Sequence, residues 1–332
     1  MRRSVAKRLI VRSSRSRSLQ KISVVVLCGG PKTAYTLGLS IFLLSFFVVP
    51  AKAAGQACTS YVVVSAFDHK TGDDIKNLNA GDFQAKLGKA EVDIVSATQQ
   101  FDDRLLILLQ TDGTRNEKIE DVVNLATRLV RQAPEGKPIA FGVFVKRALF
   151  TKGFITDPKE RGTEISGIAE EEPSLGKEVH LYNALHQALA LFGPHQPGDT
   201  VLLITDGYDE GSHRSGSEVE KEFVASGTRL MVMLRRTPSH VSGNFLWTSP
   251  EPQIRLMEAI STATGGTYTM FSARDFEFAW HGYMLGILLP EGKKTKKLKV
   301  QLQGVAAETY RRPNLYYPER LPACGAAITA TR

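Results

Sequence analysis

Two hydrophobic rhythms run along the chain. From Tyr61 to about Thr98, apolar runs such as YVVVSAF are broken by Gly, Asn and Asp clusters (DHKTGDD, NLNAGD), the pattern of short strands joined by turns. After Arg104 strands alternate with helical periods. RLLILLQ precedes NEKIEDVVNLATRLVRQA, in which Ile119, Val122, Val123, Ala126, Leu129 and Val130 share one helical face. PIAFGVFV and ALFTKGFIT read as strands, and an acidic segment follows to Glu172. HLYNALHQALALF reads as a helix ended by Gly193-Pro194. VLLITDG, SEVEKEFVAS, RLMVML, EPQIRLMEAISTATG and TYTMF continue the alternation, and a short amphipathic segment reaches His281. Beyond Tyr283, the runs YMLGILLP, KKLKVQLQ and ETYRRPNLYYP read as strands with no helix between them.

The alternating middle predicts an α/β fold, a mostly parallel sheet with helices on both faces. The β-rich head and tail predict one small β domain built from the N- and C-terminal segments beside it. The boundaries expected are a leader over 1–53, the first part of the β domain over 54–102, the α/β domain over 103–282 and the rest of the β domain over 283–332. No internal repeat is visible in the sequence.

Charge changes this picture at one end only. The formal net charge is +8, yet ten of the 42 Lys and Arg residues and none of the 34 acids fall in residues 1–53, so the remainder carries a net −2. Nucleic-acid binding by the folded part thereby loses its main support. The leader itself has the order of an export signal: a basic start, the 16-residue apolar run Ala34 to Val49, then Ala51-Lys52-Ala53 as an A-x-A site. Cleavage after Ala53 and a periplasmic or secreted location are expected. The alternative is an uncleaved anchor, for which the run is short of the roughly 20 residues a spanning helix needs. A cleaved chain keeps two of three cysteines, Cys58 and Cys324. In an oxidising compartment an even pair suggests one disulfide, the alternative being two unrelated thiols.

Candidate chemistry sits where two apolar runs stop at Thr-Asp-Gly, placing Asp112 and Asp206 at strand ends. In an open α/β sheet, ligands bind beyond the carboxyl ends of strands where the strand order reverses. The competing structural role is a cap on the following turn or helix. The sequence contains no His-Glu-x-x-His, no Gly-x-Ser-x-Gly and no G-x-x-x-x-G-K. Recognition has better candidates in two loops at the same edge. GYDEGSHRSGS carries Tyr208 and Arg214, and RRTPSHVSGNFLWTSP carries Arg235, Arg236, Phe245 and Trp247, side-chain types that anchor interfaces.

HKTGDDIKNLNAGDFQAKLGKAEVDI, LLILLQTDGT, HLYNALHQAL, VLLITDG, STATGG and TYRRPNLYYP, in that order, carry a resemblance to the von Willebrand factor A (VWA) domains. Within that family the chain resembles the exported bacterial VWA-related proteins, and the resemblance runs from Tyr61 to about Pro318. It implies a VWA-like, Rossmann-type fold and a non-catalytic, extracytoplasmic protein-binding or adhesion function. The family's metal site uses D-x-S-x-S after the first strand, a Thr before the L-Y-D-A-L helix and an Asp after a later strand. Residue by residue this places Gln110, Asp112 and Thr114 on the loop, Val179 at the Thr position and Asp206 at the last. The metal set implied is Asp112, Thr114 and Asp206, a degenerate site because Gln110 and Val179 remove oxygen ligands that a hard cation needs. No cofactor is expected, with weak Mg²⁺ or Mn²⁺ binding as the residual possibility and a metal-dependent adhesion domain as the alternative function. The expected partner is a protein, with no nucleic acid and with membrane contact only through an uncleaved leader. Gln110 to Thr114 is also similar to the D-x-D-G-T of haloacid-dehalogenase-like phosphohydrolases, but a neutral amide at Gln110 cannot form an aspartyl-phosphate, so that reading yields an inactive enzyme.

Overall fold

Six-residue strands with no exposed side chain require cover on both faces, and four such runs fix the centre of this molecule. They are β5 (Leu105–Gln110), β6 (Ile139–Phe144), β8 (Thr200–Thr205) and β9 (Arg229–Leu234), buried at every position. The computed structural model describes residues 58–99, 103–111, 119–171, 178–235, 252–270, 281–289 and 297–321. All of these belong to one compact unit, Gly55–Arg332. The central sheet has the order β10-β9-β8-β5-β6-β7, with β10 at Tyr268–Met270 and β7 at Ala148–Phe150. All neighbours are parallel except β6 and β7. Counted within the sheet this is the 3-2-1-4-5-6 order of a doubly wound fold with one antiparallel edge, and the order reverses between β5 and β8. The α/β architecture expected from the sequence, a mostly parallel sheet with helices on both faces, is present.

The period of two along β5 sorts its side chains between two cores. Leu105, Ile107 and Leu109 meet α1 (Ile119–Gln132) and α2 (Pro158–Glu171) through Leu125, Leu129, Ile165 and Ile168. Leu106 and Leu108 face α3 (Leu181–Leu191), α4 (Gly216–Ser226) and α5 (Pro252–Ala263). Helix α2 is a correction to the sequence reading, which left that stretch as an acidic segment. Asp157 caps it, its Oδ1 accepting from the amides of Lys159 at 2.8 Å and Glu160 at 2.9 Å, and Pro158 suits the first helical position.

Head and tail strands pair into two small antiparallel sheets. β1 (Cys58–Phe67) runs antiparallel to β11 (Tyr283–Leu289) and β13 (Asn314–Tyr316), while β4 (Ile94–Thr98) takes the far edge of β11. β2 (Phe83–Leu87) pairs with β12 (Leu298–Leu302) on one side and β3 (Ala90–Val92) on the other. Between the sheets lie Val62, Val64, Ala66, Phe83, Leu285 and Ile287, with Tyr283 fully buried. Its phenol donates to the Ile75 carbonyl at 2.7 Å and accepts from the Leu78 amide at 3.2 Å, tying down a loop in which Asn77 takes a positive φ of 63°. The tail also holds a six-residue helix, α6 (Gly304–Thr309), where the sequence reading expected strands alone.

Charged groups stitch the amino ends of the parallel strands. Arg104 grips Asp199 bidentately, at 2.9 and 2.6 Å, donates to the carbonyls of Phe192 and Pro194 at 2.8 Å, and lies over the Phe154 and Phe192 rings. Lys137 pairs with the buried Asp103, whose pKa burial pushes up against the pull of Lys137. Arg229, enclosed beside Ser65 of β1, has its pKa lowered to about 10 by burial. Cys58, at the start of β1, is disulfide-bonded, and its partner lies outside the described residues. Among the described residues no helix is long and apolar enough to cross a membrane.

Candidate functional site at the carboxyl edge

The strand order reverses where Gln110 ends β5 and Thr205 ends β8, so these two side chains floor the crevice. Both continue the alternation that points Leu106, Leu108, Val201 and Leu203 toward α3 and α4, and both are buried. A buried amide needs partners, and Gln110 finds them across the strand gap. Its Oε1 accepts the Thr205 hydroxyl proton and the Asp206 amide, the latter at 3.2 Å. The Thr205 oxygen in turn accepts from the Gly207 amide at 3.0 Å. Gly207 adopts φ +88°, a left-handed conformation that lets the chain turn sharply off β8. Asp206, half-buried, accepts from the Tyr208 amide at 3.0 Å and so closes an Asx turn. Arg235, one residue beyond β9, donates its amide to the Thr205 carbonyl at 2.7 Å and a guanidinium nitrogen to the Gln110 carbonyl at 2.6 Å.

The loop that follows is seated on α3. Helix α3 begins at His180, which offers no capping side chain, so its first amides need acceptors from elsewhere. Asp209 Oδ1 accepts from the Tyr182 amide at 3.3 Å, and Ser212 Oγ accepts from the Asn183 amide at 3.1 Å while donating to Asp209 at 2.5 Å. Glu210 brackets Val179, its carboxylate accepting from the Val179 amide at 3.0 Å and its own amide donating to the Val179 carbonyl at 2.8 Å. Two carboxylates at a helix N-terminus also complement the helix dipole. Burial and the Asp209 charge together push the Tyr182 phenol upward. Gln253 of α5 holds the other side of the loop through paired amide contacts to Asp209, both at 3.1 Å.

Arg214 lies on the flank of this platform. It donates to Glu222 Oε1 at 2.9 Å and to His186 Nε2 at 3.2 Å, and His186 Nδ1 meets the second Glu222 oxygen at 2.8 Å. Arginine can only donate, so Nε2 accepts and Nδ1 carries the proton toward Glu222. Arg214 thus clips α3 to α4. The structure brings Asp206, Tyr208 and Arg235 together around the β5 and β8 ends, with Arg214 set apart. Asp112, Thr114, Arg236, Phe245, Trp247 and Cys324 lie outside the described residues.

A divalent cation requires several oxygen ligands, and the described residues do not fit one. Val179 brings no side-chain oxygen, the Gln110 oxygen is consumed by Thr205 and Asp206, and Asp206 is the one described carboxylate of the implied set. Among the described residues no three His, Cys, Asp or Glu side chains converge as a metal site. Sequence reasoning missed the Gln110 to Thr205 bond and the capping of α3 by Asp209 and Ser212. One signal was present: a helix opening on His180-Leu181 without Ser, Thr, Asp or Asn at the cap.

No protein-family model matches this chain, and no curated protein does either. Solved structures with a similar backbone include BatB from Bacteroides thetaiotaomicron, 17% identical, with 53% of this chain covering 93% of that one at a TM-score of 0.40. Proximal thread matrix protein 1 from the mussel byssus, with a zinc-occupied MIDAS motif, is 16% identical over 56% of this chain and 49% of its own, at a TM-score of 0.42. A von Willebrand factor type A structure from Catenulispora acidiphila is 10% identical over 80% of this chain and 74% of its own, at 0.43.

Proposed function

We propose that this chain is an exported, non-catalytic protein-binding module that presents its carboxyl-edge loops to a protein partner. The observation that carries the reading is the seating of Gly207–Ser215 on α3 and α5, in which Asp209, Glu210 and Ser212 are all spent on backbone amides. Groups committed to holding a loop are poorly placed to act as nucleophile or base, whereas a loop held this firmly loses little entropy when a partner docks. Tyr208, half-buried beside Asp206, supplies the aromatic anchor that interfaces favour, and Arg235, one residue beyond β9, holds the strand ends that carry it. Export rests on the basic, apolar and A-x-A order of residues 1–53. Affinity capture from cell-envelope extract with the exported chain tests the reading. A partner retained by the wild type and lost on Arg235→Ala or Tyr208→Ala supports it, and capture unaffected by both substitutions refutes it.

A further inference from the structure

The strand ends that the fold offers to a metal ion already contain a cation. Arg235 leaves β9, bonds the Thr205 carbonyl with its amide at 2.7 Å and reaches past the end of β8 to the Gln110 carbonyl of β5 at 2.6 Å. The group it places there is a guanidinium, a positively charged donor with no acceptor of its own. The oxygens around it are occupied in the same way. Gln110 Oε1 accepts from Thr205 and Asp206, Thr205 Oγ1 accepts from Gly207, and Asp206 Oδ1 accepts from Tyr208. A cation would have to compete with these internal donors for the same oxygens and bind near a guanidinium of like charge.

We infer that Arg235 is a built-in substitute for a divalent ion: it ties β9, β8 and β5 together at their carboxyl ends and keeps that edge metal-independent. Two separable features then oppose metal binding, the neutral amide at Gln110 and the positive charge at Arg235. Restoring a carboxylate at Gln110 alone therefore leaves a poor site, and removing the charge as well should improve it.

Manganese chloride titrated calorimetrically into the full-length chain, with no other ligand, tests this. Wild type should show no saturable binding tighter than about millimolar, as expected where oxygen ligands are few. Gln110→Asp/Arg235→Met should bind Mn²⁺ at least about tenfold tighter than Gln110→Asp, because a nearby like charge is removed. Gln110→Asp/Arg235→Lys, which keeps the charge, should stay with the single variant. A micromolar site in wild type overturns the inference without need of any variant, as does equal Mn²⁺ affinity in Gln110→Asp and Gln110→Asp/Arg235→Met. None of these readouts involves a partner, so they fail or succeed independently of the capture experiment.

Discussion

The side-chain oxygen of Ser212 accepts the amide of Asn183, 29 residues earlier in the chain, at 3.1 Å, and through it a loop leaving β8 caps helix α3. Helix and loop each lack something the other provides. α3 has no capping side chain of its own, and the loop has no hydrophobic run to hold it.

Asp209→Ala should therefore destabilise the protein by about 1 kcal/mol, the usual cost of a lost N-cap. Because Asp209 also accepts from Ser212, the double variant with Ser212→Ala should cost less than the sum of the single ones. Urea denaturation of the four proteins checks both, and strict additivity would mean that the two caps act separately.

At the opposite end of the sheet, Arg104→Met should be far more damaging than a surface change. Asp199 is fully buried and would lose the guanidinium that compensates it, at a cost of about 3–5 kcal/mol. Adding Asp199→Asn should recover part of that loss in the same denaturation assay.

The buried Asp103 makes a pH signature. Its folded pKa is raised above the ordinary 3.8 by burial, so the native state holds this proton more tightly than the unfolded chain does. Stability from this group is greatest below 3.8 and declines as the pH rises through the raised folded value. Asp103→Asn can still accept from Lys137 but cannot ionise, so its stability should fall less than wild type over that window. Parallel pH profiles would contradict the assignment.

Cys58 is disulfide-bonded at the start of β1, and we propose Cys324 as its partner, since β13 pairs antiparallel with Ser65–Phe67 and so runs in the direction of the Cys58 end of β1. Non-reducing peptide mapping of exported protein should yield the Cys58 to Cys324 pair, and Cys58→Ser should cost about 2–5 kcal/mol. Recovery of freely alkylated Cys324 would rule the pairing out.

The parts of the fold legible in the sequence are those where burial alone decides. LLILL, VLLI and LMVML had no polar position to turn outward, and each became a strand covered on both faces. Helix α2 was not legible because its inward positions are few, chiefly Ile165 and Ile168, within a polar stretch. Helix α6 is six residues long, too short for a period to emerge. At the site, Asp206 was correctly placed at a strand end, but its bond to its own turn depends on Gly207 and Tyr208, and the Gln110 to Thr205 contact joins residues 95 apart. Pairings that cross between strands follow from sheet order, which no local pattern carries.

The carboxyl edge of the sheet is the proposed binding face. A photo-crosslinking amino acid at Tyr208, compared with one at Val95 on the exposed β4 edge, tests it most directly in exported protein mixed with envelope extract. A discrete cross-linked partner is expected from position 208, abolished by Arg235→Ala and unchanged by a chelator. Cross-linking from position 95 alone, or cross-linking from 208 that disappears with the chelator, would contradict it.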